Sequence, residues 1–433
     1  MHRKATRRSS LVILVIVAFI VTTLWSEHNM HLPDQPDDTT TVGPRSIPLS
    51  LDSSPVVDVP RNSSVPFGAT FQLSAEEQQF VAERHLHLVP DGGCPARFIF
   101  ANTHTYGRHH NQLQEFMNLA VWARRLERTA VLGWFRHNHK WIDPHELYNF
   151  SAISQRYCLV TPSRMVAMLQ QTPESTAKLK AACFGQKFED TPLKRFARQY
   201  FRCSLVADVP AHYNTRHGVR ITKTIMDKVR SARESLVVVS GQIAFFMRGG
   251  LLESAAIFSL LQPSNSVRRD IAVYKEKNLA GRPYFGIHLR QRERECMKEL
   301  AESRADGGAW LADVRPSDWE VISTQCAITV DHVHSLMASL RLSIDHQLMF
   351  VASDHQNLAL EKALQLKGAV MQETGDGLRA LTVDFFLLQE AEYFTGNQLS
   401  SVTQNVCFMR LGRGRGCHGF IPSFSRYHSR PVM

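Results

Sequence analysis

Apolar positions in the first half of the chain follow two different spacings. Residues 96–102, ARFIFAN, form a short apolar run typical of a buried strand, and the polar segment THTYGRHHNQ follows them. LQEFMNLAVWARRLERT then has apolar residues at helical spacing, among them Leu113, Phe116 and Met117, and TAVLGWF reads as another strand. This order predicts a βαβ unit, whose right-handed crossover holds the polar loop at the carboxyl edge of a sheet.

The second half repeats this alternation with a different sequence. YFGIHLR, QLMFVASD and GAVMQ read as strands, NLALEKALQLK and most of LTVDFFLLQEAEYF read as helices, and SSVTQNVCFMR starts with hydroxyl residues that suit a helix N-terminus. We therefore predict two Rossmann-like α/β domains. Pro263, Ser264 and Asn265 interrupt the pattern, so we place the domains at residues 76–262 and 263–433.

The strand in YFGIHLR ends with a histidine and an arginine, followed by the charged segment QRERECM. Side chains alternate along a strand, so His288 and Arg290 leave on the same face. Ligands of α/β proteins bind at this edge of the sheet. A surface ion pair for Arg290 and a structural role for His288 are the alternatives. The net charge of +10 suits an anionic ligand such as a nucleotide diphosphate, or reflects scattered surface Lys and Arg.

The N-terminus predicts attachment to a membrane. Residues 11–25, LVILVIVAFIVTTLW, follow a basic segment and would span roughly 22 Å as a helix, near the need of a thin early-secretory membrane. No clean cleavage site follows, so we expect a type II signal anchor rather than a signal peptide, with residues 1–10 as a cytosolic tail. Residues 26–75 are rich in Pro, Ser, Thr and Asp, and we expect a disordered stem.

A luminal location of the remaining chain agrees with two further features. The 8 cysteines follow the anchor without a Cys-x-x-Cys pair, which predicts up to four disulfides or several small buried thiols, and not a zinc site. Sequons make Asn62 and Asn149 candidates for N-glycosylation. The C-terminus HSRPVM has no Lys-Asp-Glu-Leu-like signal, which favours the Golgi membrane over the endoplasmic reticulum. We expect no nucleic-acid partner.

Four segments, spanning about residues 94–410, resemble the GDP-fucose protein O-fucosyltransferase family in the family's order. GRHHNQLQEFMNLAVWARRLERTAVLGWF resembles its first signature and WIDPHELYNFSAI the segment after it. HLR matches its central motif, and FVASD with VDFFLLQEAEYFTGNQLSSVT resembles its C-terminal signature. The resemblance implies a GT-B glycosyltransferase, with two Rossmann-like domains facing a cleft, GDP-fucose as donor substrate in the C-terminal domain, and no metal or other cofactor.

The resemblance also implies roles for individual residues. Arg290 would stabilise the departing diphosphate through charge-assisted hydrogen bonds, and His288 would brace the diphosphate or the sugar hydroxyls. Asn111 matches an asparagine that reaches toward donor and acceptor, although a loop asparagine also stabilises its own backbone. Asp384 matches an acidic position where a carboxylate accepts from guanine. Asp354 would serve the ribose or base, or cap the following helix.

Hydroxyl residues lie at the predicted helix start near the C-terminus. A helix N-terminus presents unpaired N–H groups, so Ser400, Ser401 and Thr403 either cap the helix, cradle phosphate, or do both. Two positions depart from the family pattern: His110 stands where the family often has Gly, and Val402 where it often has an aromatic residue.

Three functions stay open on the sequence. We expect an inverting, metal-independent transfer of fucose from GDP-fucose to Ser or Thr hydroxyls of a secretory-pathway protein, since no Asp-x-Asp motif occurs. The alternatives are a fucosyltransferase acting on a glycan and a non-catalytic luminal binding protein of the same fold. Turnover of GDP-fucose separates the last from the others, and the type of acceptor separates the first two.

Overall fold

The structure is a computed structural model that describes residues 70–86, 89, 93–102, 109–137, 140–170, 179–184, 201–207, 225–240, 244, 250–290, 297–298, 301, 316–326, 328–372, 377–397 and 400–420. The predicted tail, the anchor, most of the stem and Asn62 lie outside these residues. Within them, none of the helices has the length and apolar character that a membrane span requires.

Short strands alternate with helices along the described chain. The strands are β1 (Thr70–Phe71), β2 (Phe98–Asn102), β3 (Thr129–Val131), β4 (Phe135–His137), β5 (Lys140–Ile142), β6 (Tyr148–Asn149), β7 (Leu159–Val160), β8 (Leu179–Phe184), β9 (Phe201–Ala207), β10 (Leu236–Ser240), β11 (Gln262–Pro263), β12 (Phe285–Leu289), β13 (Met349–Ser353), β14 (Ala369–Met371), β15 (Tyr393–Gly396) and β16 (Cys417–His418).

The helices lie between these strands. They are α1 (Ala75–Leu86), α2 (His109–Arg125), α3 (Ser151–Tyr157), α4 (Pro162–Gln170), α5 (Leu251–Ser259), α6 (Asn265–Tyr274), α7 (Pro316–Cys326), α8 (Val330–Ser339), α9 (Leu358–Leu366), α10 (Leu378–Glu390) and α11 (Ser401–Gly412). Residues 225–231 are also helical, a 3-10 turn covers Pro144–Glu146, and a π-helical turn at Lys275–Leu279 extends α6.

Strands from the first half of the chain form a six-stranded sheet in the order β7-β3-β2-β10-β8-β9, and its neighbouring strands run parallel. Phe98 lies opposite Thr129 on one side and opposite Leu236 on the other. The βαβ unit predicted from ARFIFAN, its helix and TAVLGWF is confirmed as β2, α2 and β3. Parallel strands covered by helices on both faces are continuously apolar, which explains why β2 had no alternating pattern.

The second sheet has the order β1-β16-β15-β12-β13-β14. Strands β14, β13, β12, β15 and β16 run parallel, and the predicted strands YFGIHLR, QLMFVASD and GAVMQ are confirmed as β12, β13 and β14. Residues 70–71, assigned to the stem from their composition, form β1 and pair antiparallel with β16, where Thr70 lies opposite His418. The predicted α/β architecture of two Rossmann-like sheets is therefore confirmed, while the domain boundaries stay a prediction.

A hydrophobic core common to both sheets connects the two halves of the described chain. It contains Phe116 from α2, Phe258 from α5, and Phe394 and Phe408 from the second half. Helices α5 and α11 pack closely because Gly412 of α11 has no side chain. A Cβ atom at this position would collide with the backbone of Ala255 in α5. Smaller clusters cover the remaining faces of the two sheets.

Disulfide bonds and a buried arginine fix several loops. Cys94 bonds with Cys158 and Cys407 with Cys417, and Cys183 and Cys326 are also disulfide-bonded, so the disulfide prediction is confirmed for these cysteines. Arg128 is buried and donates from Nη2 to Ala232 O at 2.7 Å and from Nη1 to Glu234 O at 3.0 Å. Arg128, which belongs to the first signature, therefore stabilises the fold.

Candidate functional site

The candidate site lies where β12 ends. His288 is buried, and its Nδ1 atom lies 2.8 Å from Thr403 Oγ1 of α11. Burial is the main cause that lowers the pKa of His288 to about 3, and electrostatic interactions with Arg290 and His110 are smaller causes. The imidazole is therefore neutral near pH 7. It can donate a hydrogen bond to an anion but adds no charge.

Arg290 follows the last residue of β12 and is partly exposed. Its Nη1 atom donates to Ser400 Oγ at 3.5 Å, which is at the long limit for a hydrogen bond. Its backbone oxygen accepts from Asn397 Nδ2 at 3.0 Å, and Asn397 N donates to His288 O at 3.4 Å. The buried Asn397 thus fixes the end of β12 against the end of β15. Asn397 was not among the predicted site residues, although an asparagine directly after a strand is a recognisable signal.

Gly396 allows β12, β15 and α11 to meet. A Cβ atom built on Gly396 would lie 2.7 Å from Thr403 Oγ1 and 2.9 Å from His288 Cβ, and both separations are too short for real side chains. Glycine at this position therefore lets the His288–Thr403 hydrogen bond form directly beside the backbone of β15.

The N-terminus of α11 is next to Arg290. Ser400 occupies the N-cap position and is buried, but its side chain makes no capping hydrogen bond and instead accepts from Arg290. Ser401 and Thr403 lie in the first turn, where Thr403 contacts His288. The structure therefore brings together Arg290, His288, Ser400 and Thr403 at the carboxyl edge of the second sheet. We call these residues the strand-end cluster.

Asp354 lies at the end of the neighbouring strand β13. Its backbone N–H donates to Leu289 O at 3.3 Å, and both of its carboxylate oxygens are buried without a hydrogen-bond partner among the described residues. The alternative that Asp354 caps the following helix is wrong. The N-cap of α9 is Asn357, whose Oδ1 accepts from Leu360 N at 3.0 Å, because the chain makes a further turn after Asp354.

A buried glutamate holds the turn that carries Asp354. Ser353 Oγ donates to Glu361 Oε1 at 2.5 Å, and His355 Nδ1 lies 2.9 Å from Glu361 Oε2. His355 has a left-handed backbone conformation with φ of 55°. Glu361 therefore bonds the residues on both sides of Asp354, and it holds His355 in a backbone conformation that is unfavourable for a non-glycine residue. The sequence alone did not indicate this role.

Asp384 lies in the middle of α10. When the Gln372 amide is oriented to satisfy its neighbours, its nitrogen donates to Asp384 Oδ1 at 2.5 Å and to Ala380 O at 3.2 Å. Burial raises the pKa of Asp384 to about 7, although the residue as a whole keeps partial exposure. The carboxyl group itself is enclosed, so its ionised form is poorly solvated. Near pH 7 the carboxyl group is a mixture of its protonated and ionised forms.

Asn111 lies in a helix and not in the predicted loop, because α2 begins at His109. The first turn of a helix accepts polar residues, whose N–H groups lack intrahelical partners, so the apolar periodicity that starts at Leu113 marks the helix too late. Asn111 is partly exposed. Its neighbour His110 is buried, and the backbone oxygen of His110 accepts from Asn405 Nδ2 of α11 at 2.9 Å. The start of α2 thus lies against the helix of the strand-end cluster.

Two other predictions concern metals and glycans. Within the described residues, no group of three or more His, Cys, Asp or Glu side chains could hold a metal ion. Asn149 is partly exposed in β6, and its Oδ1 accepts from Ser151 N at 2.9 Å. Its glycosylation stays a prediction.

Two parallel sheets, with polar and charged side chains collected at the carboxyl edge of the second, define an α/β protein of GT-B-like architecture. Among solved structures with this fold, POFUT1 in complex with GDP-fucose matches with a TM-score of 0.54 at 19% identity, covering 75% of this chain and 98% of POFUT1. The structure of POFUT1 in complex with GDP matches with a TM-score of 0.53 at 20% identity, covering 75% of this chain and 98% of POFUT1.

The structure of POFUT1 without ligand gives a TM-score of 0.54 at 20% identity, over 76% of this chain and 98% of POFUT1. No family model matches the chain, and no curated protein matches its sequence. The resemblance drawn from the motifs is therefore confirmed as a likeness of fold.

Proposed function

We propose that this protein is a glycosyltransferase that uses GDP-fucose as its donor. The observation that carries the proposal is the contact between Arg290 and Ser400, which joins a guanidinium to a helix N-terminus at the carboxyl edge of the second sheet. Both groups bind phosphate oxygens well. The proposal is supported by the fold, since POFUT1 has been solved with GDP-fucose and with GDP.

In the proposed reaction, the bond between fucose C1 and the β-phosphate oxygen of GDP breaks. The acceptor hydroxyl oxygen bonds to C1 from the opposite face and inverts the configuration at C1, its proton passes to water, and GDP leaves with the electron pair of the broken bond. Negative charge grows on the diphosphate as the bond lengthens, and Arg290 stabilises that charge. His288, neutral and held by Thr403, donates a hydrogen bond to the diphosphate or a sugar hydroxyl. Asn111 orients the reacting groups without titrating.

The donor diphosphate is proposed to bind without a metal ion. A fixed guanidinium and the N–H groups of the first turn of α11, where Ser400, Ser401 and Thr403 lie, can neutralise much of its charge. We therefore expect the affinity for GDP-fucose to be the same with and without a metal chelator.

The two aspartates differ in how well they suit the nucleoside. Asp354 has two buried oxygens that accept no hydrogen bond from the described residues, so ribose hydroxyls or guanine N–H groups would satisfy them. One oxygen of Asp384 already accepts from Gln372. An ionised Asp384 could still accept from guanine with its other oxygen, and we assign Asp354 the larger part in binding.

The acceptor in this proposal is a Ser or Thr hydroxyl of a secretory-pathway protein. A glycan acceptor is the second candidate, and a binding protein without turnover is the third. The proposed location is the Golgi or endoplasmic reticulum membrane. There, residues 11–25 would form the anchor and the body of the protein would be luminal, with N-glycans at Asn62 and Asn149.

A donor screen tests the proposal. The full-length protein in detergent is incubated with a panel of nucleotide sugars, and released nucleoside diphosphate is measured with and without acceptor proteins and free glycans. We expect GDP release from GDP-fucose, stimulated by an acceptor protein and abolished in the Arg290→Ala variant. A preference for a UDP-sugar contradicts the proposal. GDP-fucose binding without release under any acceptor condition supports the non-catalytic alternative.

A further inference from the structure

His110 is a buried histidine whose side chain makes no hydrogen bond. Only 3% of its surface is exposed, and both ring nitrogens are buried without a partner among the described residues. A neutral imidazole has one N–H donor and one acceptor nitrogen, and burying either without a partner costs free energy. Most buried polar groups in native proteins are paired, so the unpaired nitrogens of His110 call for an explanation.

The neighbours of His110 come from both halves of the described chain. Its ring centroid lies 5.0 Å from that of Phe385 on α10 and 5.2 Å from that of His109. Arg290 is close enough for its positive charge to act on His110, and His110 in turn acts on His288. His110 is therefore next to the strand-end cluster, although it belongs to a helix of the first sheet.

His109 shows that a buried histidine on this helix can be paired within the protein at one of its nitrogens, although its Nδ1 atom has no partner among the described residues. His109 Nε2 lies 2.7 Å from the Tyr148 hydroxyl, and its ring stacks on Tyr148 with a centroid separation of 5.6 Å. His110 has no equivalent polar contact and lies beside the aromatic ring of Phe385 and the charge of Arg290. Its polar atoms therefore serve no folding role that the described contacts reveal.

We propose that His110 is a specificity-determining residue that hydrogen-bonds a hydroxyl group of the sugar in the nucleotide-sugar donor. A hydroxyl is both donor and acceptor, so it can satisfy either nitrogen of a neutral imidazole. The inference rests on the proposed function, because it needs a nucleotide sugar whose diphosphate binds Arg290. Arg290 is partly exposed and its charge acts on His110, so a diphosphate bound to Arg290 would bring the attached sugar close to this imidazole.

A proton-transfer role would predict different behaviour. Burial, followed by the charge of Arg290, lowers the pKa of His110 to about 3, so the ring stays neutral between pH 6 and pH 8. Its hydrogen bond to a sugar hydroxyl should then be independent of pH over this range. A general base with this pKa would also be insensitive to pH over this range, but its loss would lower kcat and leave the affinity for GDP-fucose unchanged, so donor affinity separates the two roles.

The test compares GDP with GDP-fucose in calorimetric titrations of the full-length protein. His110→Phe keeps the aromatic contact with Phe385 but removes both nitrogens, whereas His110→Gln keeps a donor and an acceptor. We expect His110→Phe to bind GDP like the parent and GDP-fucose about three- to tenfold more weakly, the effect of one neutral hydrogen bond. His110→Gln should recover most of the difference, and the His110→Phe effect should be equal at pH 6 and pH 8.

A stability measurement separates this role from a structural one. Because His110→Phe removes unpaired buried polar atoms, we expect its Tm to equal or exceed that of the parent. The matched control His109→Phe loses the bond to Tyr148 and should lower Tm without changing the preference for GDP-fucose over GDP. If a variant does not fold, ring 15N signals of His110 in the parent should change with GDP-fucose and not with GDP.

Three results would overturn the inference. These are equal binding of GDP-fucose by the parent and His110→Phe, an equal loss of GDP and GDP-fucose binding, and a change in acceptor KM with unchanged donor affinity. Failure of the proposed function is a separate result, because it appears in the parent protein as a lack of GDP-fucose binding before any variant is made.

Discussion

The Nδ1 atom of His288 and the Oγ1 atom of Thr403 lie 2.8 Å apart, although the two residues are 115 positions apart in sequence. Their hydrogen bond joins the end of β12 to the first turn of α11, and Gly396 leaves room for it. Because both side chains are buried, loss of the hydroxyl would leave the imidazole unpaired.

Replacement of Thr403 should therefore reduce stability and donor binding together. We expect Thr403→Val to lower the free energy of unfolding by about 1 to 3 kcal/mol, the cost of one buried unpaired group, in a denaturant titration. Thr403→Ser retains the hydroxyl and is the matched control, with a smaller loss from the missing methyl group. Equal losses in the two variants would show that packing, and not the hydrogen bond, is responsible.

Arg290 should contribute more to turnover than to binding. Lysine keeps the charge but loses the planar fork, so Arg290→Lys should reduce kcat by about two orders of magnitude, the effect of removing one electrostatic stabiliser. GDP-fucose affinity should change less, because the diphosphate gains charge only as the bond breaks. Arg290→Ala should reduce kcat further, and its Tm should differ little from that of the parent. Near-parent turnover by the lysine variant would exclude Arg290 as the leaving-group stabiliser.

Asp354 should favour ligand binding at the expense of stability. Its carboxylate oxygens are buried and accept no hydrogen bond within the described chain. We expect Asp354→Asn to raise Tm or leave it unchanged in the ligand-free protein and to weaken GDP binding by about 1 to 3 kcal/mol. Calorimetry and thermal unfolding measure the two effects.

Glu361→Gln provides the contrast for Asp354. It weakens the bonds to Ser353 and His355 and should lower both Tm and GDP affinity, because the turn carrying Asp354 loses its support. The exposed neighbour Lys362→Ala should change neither quantity. A lower Tm for Asp354→Asn would indicate that Asp354 has a structural partner.

Asp384 should make stability depend on pH. Burial raises its pKa from 3.8, the value of a solvated Asp as in the unfolded chain, to about 7 in the folded protein. Between about pH 4 and pH 7 the folded state therefore binds the proton more tightly than the unfolded state does. The contribution of Asp384 to the free energy of unfolding should be greatest below about pH 4, and it should fall as the pH rises to about 7. Asp384→Asn should flatten this part of a Tm profile. An unchanged slope would show that other groups cause it.

The same residue can be tested as a guanine ligand. If guanine binds the ionised carboxylate, GDP binding at pH 7 should release protons, and the binding enthalpy should vary with the ionisation enthalpy of the buffer. Asp384→Ala should weaken GDP binding by about 1 kcal/mol, the low end of the range for Asp354→Asn, without unfolding the protein. Unchanged affinity would leave Asp384 with the structural contact to Gln372 alone.

The N-terminal prediction concerns topology. If residues 11–25 are an uncleaved anchor, the mature protein should keep its N-terminus, resist carbonate extraction and carry N-glycans at Asn62 or Asn149. Extraction, N-terminal sequencing and a glycosidase shift measure these properties. Secretion of a protein that begins near residue 27 would identify the segment as a signal peptide.

Local patterns in the sequence determined most of the strands and helices. Buried parallel strands are continuously apolar and helices have a 3.6-residue period, so β2, α2, β3, β12, β13 and β14 could be predicted from neighbouring residues alone. The alternation of side chains along a strand also placed His288 and Arg290 together at the carboxyl edge. Their position required no knowledge of distant residues.

Only the tertiary structure decided which distant groups meet these residues. The pairing of Thr70 with His418, the contact of His110 with Phe385 and the bond from Gln372 to Asp384 have no local signal. Periodicity reports which face of an element is buried, but it does not report what covers that face. Burial and the choice of partners depend on residues that are distant in sequence. These two properties determine which histidine nitrogens have a hydrogen-bond partner, which aspartate oxygens can still accept a hydrogen bond, and which carboxyl group titrates near pH 7.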